Sequence, residues 1–91
     1  MKSAFRIIVQ GRVQGVGYRW FTMQIAQQLG IKGYVKNLVD GNVEVFAQGD
    51  DTSIQEFINQ LRKGPSFSNV TNLDISDADF DHNLNQFKVT H

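Results

Sequence analysis

The sequence is organised around one segment, which reads Val9-Gln10-Gly11-Arg12-Val13-Gln14-Gly15-Val16-Gly17-Tyr18-Arg19-Trp20. It begins as the end of an alternating strand and finishes as the first turn of a helix, so a glycine-rich loop joins the two. Such a loop points backbone N–H groups inward, and the helix start adds the positive end of its dipole. Arg19 follows at once, and its planar guanidinium can hold two phosphate oxygens together. These features favour an anion site.

A simpler interpretation of this segment is that its three glycines only permit a tight turn with positive φ. The segment lacks the Gly-Lys-Ser/Thr ending of a nucleotide-binding P-loop, and its glycine spacing differs from that of dinucleotide-binding loops. Three glycines in seven residues, closed by a cation at a helix start, favour anion binding. From the segment alone, however, both interpretations stay open.

Composition and charge bound the possible classes of protein. Ninety-one residues are expected to form one domain over residues 1–91. Nine basic residues balance nine acidic ones, which argues against a nucleic-acid partner. The chain has no cysteine and only two histidines, His82 and His91, so we expect no metal and no cofactor. No apolar run is long enough for a signal peptide or a membrane span, so a cytoplasmic protein is the default expectation. For so small a domain, a monomer is the default expectation.

Hydrophobic spacing predicts seven elements along the chain. They are strands over residues 5–10, 32–37, 42–48, 70–75 and 87–91, and helices over residues 19–29 and 54–63. Residues 50–53 are expected to form the start of the second helix, with Ser53 and Glu56 in a capping box. Three alternating aspartates in residues 77–81 lack the spacing of a calcium loop, so a solvated hairpin is expected there.

The order of elements predicts an α+β fold of the ferredoxin-like type, β-α-β-β-α-β with an extra C-terminal strand. In this fold two helices cover one face of a largely antiparallel sheet. The first two strands are joined through a helix and should therefore be parallel. The glycine-rich loop and Asn37 would then meet at one edge of the sheet, with Asn37 within reach of Arg19. Trp20 and Met23 lie off the main apolar stripe of the first helix. We interpret them as cover for the helix flank rather than as an apolar wall beside the anion site.

Two segments of the chain together resemble acylphosphatases. The first is Val9-x-Gly11-x-Val13-Gln14-Gly15-Val16-x-Tyr18-Arg19, and the second is Gly33-Tyr34-Val35-Lys36-Asn37 followed by Gly41, Val43 and Gly49. The resemblance covers nearly the whole chain, and the paired motifs are more specific than either alone. Tyr18 departs from the family, which usually has Phe or Met there, and the C-terminal strand ending in His91 is less typical.

The resemblance implies a hydrolase that cleaves the carboxyl–phosphate bond of acyl phosphates to carboxylate and inorganic phosphate. It implies that Asn37 orients the attacking water and that a phosphate-binding loop holds the phosphoryl oxygens or a similar anion. That loop would comprise Gln14, Gly15, Val16, Gly17, Tyr18 and Arg19, with Arg19 also catalytic. Positioning and electrostatics can suffice for phosphoryl transfer, so no metal, cofactor or general base is required.

Other interpretations of the same residues were weighed. Arg19 alone would be an ordinary surface arginine and Asn37 alone a turn residue, whereas the paired motifs make both together unlikely. Lys36 alternates away from Asn37 and is expected at the surface. Two other functions are a related enzyme handling carbamoyl phosphate, as in hydrogenase-maturation proteins, and a non-enzymatic module that binds a small anion or RNA.

Overall fold

The computed structural model describes all residues from Met1 to His91, and the predicted order of elements is confirmed. The elements are β1 (Lys2–Arg12), α1 (Tyr18–Leu29), β2 (Lys32–Asn37), β3 (Val43–Asp50), α2 (Asp51–Lys63), β4 (Asn69–Asp77) and β5 (Phe87–Thr90). Strand β1 is longer than the predicted strand over residues 5–10. It continues to Arg12 because Gly11 pairs with Val70 beyond a bulge that follows Gln10. The glycine-rich loop is therefore shorter than the sequence suggested.

The five strands form one sheet in the order β4-β1-β3-β2-β5, antiparallel except for the β2–β5 pair. Strands β1 and β2 both run antiparallel to β3, so they are parallel to each other as predicted. Val43 lies opposite Val9 of β1 on one side and opposite Asn37 of β2 on the other. The loop that follows β1 and the end of β2 therefore lie at the same end of the sheet.

The hairpin predicted around the aspartates of residues 77–81 is wrong. Strands β4 and β5 occupy opposite edges of the sheet, so residues 78–86 cross from one edge to the other. Gln48 of β3 holds this crossing segment: its Nε2 donates to the Asp81 carbonyl at 2.8 Å, and the Asp81 N–H donates to its Oε1 at 2.9 Å. Phe87 of β5 packs edge-on against Phe57 with ring centroids 6.0 Å apart. Burial of Phe87 beside β2 therefore determines where β5 pairs, and sequence alternation carries no information about that.

Both helices pack on one face of the sheet, and the main core lies between these two layers. Helix α2 buries the apolar stripe that its sequence predicted, which comprises Ile54, Phe57, Ile58 and Leu61. From the sheet, the largest fully buried side chains are Ile7, Val9, Val35, Val43 and Val45. Neither helix is long and apolar enough to cross a membrane.

The capping box predicted at the start of α2 is also wrong. Strand β3 runs directly into the helix, Asp50 takes the N-cap position, and it makes no side-chain capping hydrogen bond. Ser53 consequently lies inside the first turn, where it cannot act as the N-cap. The helix start is held instead by the N-terminal segment. The Asp51 N–H donates to the Met1 carbonyl at 3.0 Å, and the Ser3 hydroxyl donates to the Asp51 carboxylate.

Candidate active site

The loop between β1 and α1 spans residues 13–17 and takes its shape from two glycines. Gly15 has φ 75° and Gly17 has φ 78°, both in the left-handed region. A Cβ atom at either glycine would meet no other atom within 4 Å. The backbone conformation, rather than a lack of space, therefore requires glycine at these two positions.

The backbone N–H groups of this loop have no partner in the protein. Those of residues 14–17 donate no hydrogen bond, and the first turn of α1 begins with the Phe21 N–H donating to the Gly17 carbonyl at 3.0 Å. Helix α1 has no side-chain N-cap and no acidic residue in its first turn. The loop with its unpaired N–H groups thus leads directly into the positive end of the helix dipole, which is an arrangement that favours an anion.

The side chain of Gln14 ties the loop to the segment that follows Asn37. Its Nε2 donates to the Leu38 carbonyl at 2.7 Å and to the Asn42 carbonyl at 2.8 Å. Both hydrogens of the amide nitrogen are therefore used within the protein. Of Gln14, only the backbone N–H is left for a bound anion, while the side chain fixes the distance between the loop and the end of β2.

Tyr18 likewise contributes only its backbone to the site, and its side chain lies in the core. The ring is 1% exposed, and the hydroxyl donates to the Leu61 carbonyl at 2.8 Å. Burial raises the pKa of the Tyr18 hydroxyl well above its ordinary value, so it stays protonated and remains a donor. The Tyr18 hydroxyl, which Phe or Met would lack, thus adds a hydrogen bond to the end of α2.

Arg19 lies at the start of α1 and is held in place by the last residues of the chain. One nitrogen, Nη1, donates to the Thr90 carbonyl at 3.0 Å and approaches Nδ1 of His91 at 3.0 Å. Because arginine can only donate, His91 Nδ1 is the acceptor in this contact. The N–H groups on Nη2 and Nε have no partner in the protein, so three donors of the guanidinium remain for an anion. The sequence contained no signal that β5 would hold Arg19.

Arg19 and Asn37 line one cavity, as the topology predicted. The cavity has a volume of about 430 Å³, and its lining residues are Val13, Gly15, Gly17, Tyr18, Arg19, Trp20, Met23, Asn37 and Val89. Asn37 is exposed at the end of β2, and its side-chain amide makes no hydrogen bond within the protein. The amide is thus free to bind a water molecule or a substrate at this end of the sheet.

Trp20 and Met23 also line this cavity, and for Trp20 this contradicts the interpretation made from the sequence. Trp20 is 60% exposed, so it does not serve as buried cover for the helix flank. Met23 is half-buried and packs against the core, so it covers the helix flank as expected and also lines the cavity beside the loop. Helical spacing could not distinguish these two roles, because it does not show where β5 and the loop lie relative to α1.

Three other polar residues of the sequence lie outside the cavity. Arg12 is exposed at the end of β1. Lys36 points to the opposite side of β2 from Asn37 and pairs with Glu44 at 3.7 Å. His82 is exposed and packs beside Phe80, with ring centroids 5.0 Å apart. No group of three or more His, Cys, Asp or Glu side chains is placed to hold a metal ion.

Fold and site together define an α+β sandwich of ferredoxin-like topology with a glycine-rich loop, an arginine and an asparagine around one cavity. A family model described as acylphosphatase matches residues 5–89. The acylphosphatase of Archaeoglobus fulgidus is 41% identical over 88 residues, which cover 97% of this chain and 98% of that protein. The acylphosphatase of Actinobacillus pleuropneumoniae is 56% identical over 66 residues, or 72% of this chain and 73% of that protein.

Similarity to a solved structure extends over the whole fold. The crystal structure of the acylphosphatase from Bacillus subtilis superposes with a TM-score of 0.93 at 36% identity, covering 100% of both chains. Given this fold and the family match over residues 5–89, the chain belongs to the acylphosphatase family.

Proposed function

We propose that this chain hydrolyses acyl phosphates to carboxylate and inorganic phosphate without a metal ion. Arg19 and the loop N–H groups bind the phosphoryl group, and Asn37 orients the attacking water. The observation that carries this proposal is the shared cavity, in which the unpaired N–H loop, the Arg19 guanidinium and the free Asn37 amide lie together.

Phosphoryl binding rests on two sets of donors with complementary geometry. The N–H groups of residues 14–17 and of the first turn of α1 are directed donors that need no reorganisation. The three free donors of Arg19 add a full positive charge and a planar fork for two oxygens. Because Nη1 is already held by Thr90 and His91, the guanidinium loses less freedom when the anion binds.

Water attack is assigned to Asn37. The amide oxygen accepts a hydrogen bond from the water and leaves the water lone pair directed at phosphorus. As the new O–P bond forms, the bond from phosphorus to the carboxylate oxygen breaks, and one water proton passes to a phosphoryl oxygen. The transition state is loose and the leaving carboxylate is stable, so neither a strong base nor a general acid is needed.

The donor set of the cavity supports metal independence. None of the lining residues is a histidine, cysteine, aspartate or glutamate, so the amide oxygen of Asn37 is the one free side-chain oxygen that a Mg²⁺ or Ca²⁺ ion would find there. The guanidinium of Arg19 supplies positive charge at the position where a metal would otherwise stabilise the phosphoryl oxygens.

The test is hydrolysis of benzoyl phosphate with EDTA present, by the wild type and by Arg19→Ala, Arg19→Lys and Asn37→Ala. Loss of one preorganised donor costs about a hundredfold in turnover, and loss of the charged fork in Arg19→Ala should cost more. Arg19→Lys should recover only part of this loss, because an ammonium group cannot bind two oxygens side by side. Asn37→Ala should lower kcat chiefly, since water positioning acts in the transition state.

Arg62→Ala is the matched control, since Arg62 is an exposed arginine in the last turn of α2 that does not line the cavity. Circular dichroism checks that each variant is folded, because Arg19 also holds β5. Normal turnover in both Arg19→Ala and Asn37→Ala would overturn the residue assignment. Carbamoyl phosphate is assayed in parallel, and a clear preference for it would support the related carbamoyl phosphate role. A folded wild type that binds phosphate but hydrolyses neither compound would support the non-enzymatic anion-binding module instead.

A further inference from the structure

We propose that Trp20 and Met23 form the binding surface for the acyl group and make this chain selective for acyl phosphates with an aromatic or other bulky apolar acyl group. This inference rests on the proposed acyl phosphate hydrolysis and specifies its substrate class.

The first observation is the placement of Trp20, the only tryptophan in the chain. Its side chain is 60% exposed, yet it lies next to Arg19 in sequence and lines the same cavity. An exposed tryptophan keeps a large apolar area in contact with water. A ligand that covers this area removes it from water, and that burial favours binding. The exposed Phe67, by contrast, lies outside the cavity.

The second observation is that helical spacing directs Met23 to the same place. Met23 follows Arg19 by four residues and Trp20 by three, so its side chain lies beside each of them on the surface of α1. Methionine is flexible and polarisable, and it adapts to aromatic groups of different shape. Val89 of β5 and Val13 of the loop complete the apolar lining. The cavity volume of about 430 Å³ lies within the range of about 300–1,000 Å³ typical of pockets for small organic ligands.

The third observation is how polar and apolar groups divide the cavity. The polar groups are the loop backbone, Arg19 and Asn37, and the proposed reaction uses all of them on the phosphoryl group and the water. The acyl group leaves phosphorus on the side away from the water, so only the apolar lining remains to contact it. Arg19 is the one charged lining residue. An acyl group that carries a second carboxylate would therefore find no partner of its own.

The test compares kcat/KM for benzoyl phosphate with kcat/KM for acetyl phosphate, expressed as a selectivity ratio. We expect the wild type to favour benzoyl phosphate and Trp20→Ala to lower the ratio about tenfold, because it removes a ring contact together with its buried area. The change should appear mainly in KM, since the acyl contact is similar in ground and transition states. Trp20→Phe should keep the ratio within about threefold, because it retains a ring. Met23→Gln, of similar length but polar, should lower the ratio several-fold.

The matched control is Phe67→Ala, which removes an exposed aromatic side chain outside the cavity and should leave the ratio unchanged. Fluorescence offers an independent readout, because all of the tryptophan signal comes from Trp20. A phosphonate analogue of benzoyl phosphate should change that fluorescence on binding, whereas inorganic phosphate should change it much less.

The outcomes separate this inference from the proposed function. A wild type that hydrolyses both compounds with equal kcat/KM, or a Trp20→Ala ratio equal to that of the wild type, overturns the acyl-group assignment alone. Hydrolysis of neither compound by a folded wild type overturns the proposed function, and the inference with it.

Discussion

Replacing Tyr18 by Phe removes one hydroxyl and tests whether the Tyr18 side chain stabilises the core while its backbone belongs to the site. The ring is 1% exposed, and the hydroxyl donates to the Leu61 carbonyl at 2.8 Å. Leu61 belongs to the last turn of α2, where carbonyl groups have no intrahelical donor. The N–H of the following Gly64 donates to Gln60 instead. Phenylalanine would therefore leave a buried carbonyl without a partner.

The expected loss of stability follows from that unpaired carbonyl. Leaving one buried acceptor unsatisfied costs about 1–3 kcal/mol of the free energy of unfolding. For a domain of this size, each kcal/mol lowers Tm by about 4–8 °C, so a loss near the middle of that range lowers Tm by about 8–16 °C. Thermal and urea unfolding followed by circular dichroism at pH 7 measure both quantities. Tyr34→Phe is the control: the Tyr34 hydroxyl donates to Glu44 at 2.7 Å on the open face of the sheet, where water can replace it. Its loss should be below about 1 kcal/mol.

Alkaline pH provides a second test of the same contact. Burial raises the pKa of Tyr18 in the folded state, so the folded chain keeps a proton that the unfolded chain releases above its ordinary pKa of 10.0. The contribution of Tyr18 is thus complete below pH 10 and is lost as the pH rises further. The wild type should lose stability above pH 10 more steeply than Tyr18→Phe, by about 1.4 kcal/mol per pH unit. Equal stability at pH 7, or parallel curves above pH 10, would refute the reasoning.

Two further predictions concern the shape of the loop. Gln14→Ala removes the two hydrogen bonds that tie the loop to Leu38 and Asn42. We expect kcat/KM for benzoyl phosphate to fall about tenfold, because a small misplacement of reacting groups slows the reaction strongly. Steady-state kinetics that match the wild type would contradict this. Gly17→Ala forces alanine to φ 78°, which costs about 1–2 kcal/mol, and should weaken competitive inhibition by inorganic phosphate. Gly49→Ala is the control for Gly17→Ala, since Gly49 lacks a positive φ. Equal inhibition constants for Gly17→Ala and the wild type would show that phosphate binding does not depend on the loop conformation.

Much of the fold could be predicted because its signals are local. Helix α2 carries an apolar residue at each position of its buried stripe, and the glycine-rich segment carries both left-handed glycines. The meeting of Arg19 and Asn37 followed from one topological rule, since strands joined through a helix run parallel. The strand ends were less accurate: β1 extends to Arg12 only because β4 lies beside it with a bulge.

The errors arose where two segments distant in sequence decide the outcome. A solvated hairpin is expected at residues 77–81 because their aspartates lack the spacing of a calcium loop, whereas the chain crosses the sheet there and β5 pairs with β2. Helical spacing alone favours flank cover for Trp20, whereas the path of the loop and of β5 leaves it in the cavity wall. The sequence places Gln14 in the loop but does not reveal what its side chain binds, since its side-chain partners lie 24 and 28 residues away.

The sequence by itself determined the α+β class, the order of the elements, the family resemblance and the two residues placed around the cavity. Those features depend on periodicity, on glycine backbone freedom and on chain connectivity, all of which can be recognised within short segments. Only the tertiary structure decided that the end of β5 holds Arg19, that the Tyr18 hydroxyl binds α2, and that Trp20 faces the cavity. The first two contacts join residues 71 and 43 positions apart. No local pattern records such a pairing, because it forms only when the sheet and both helices pack together.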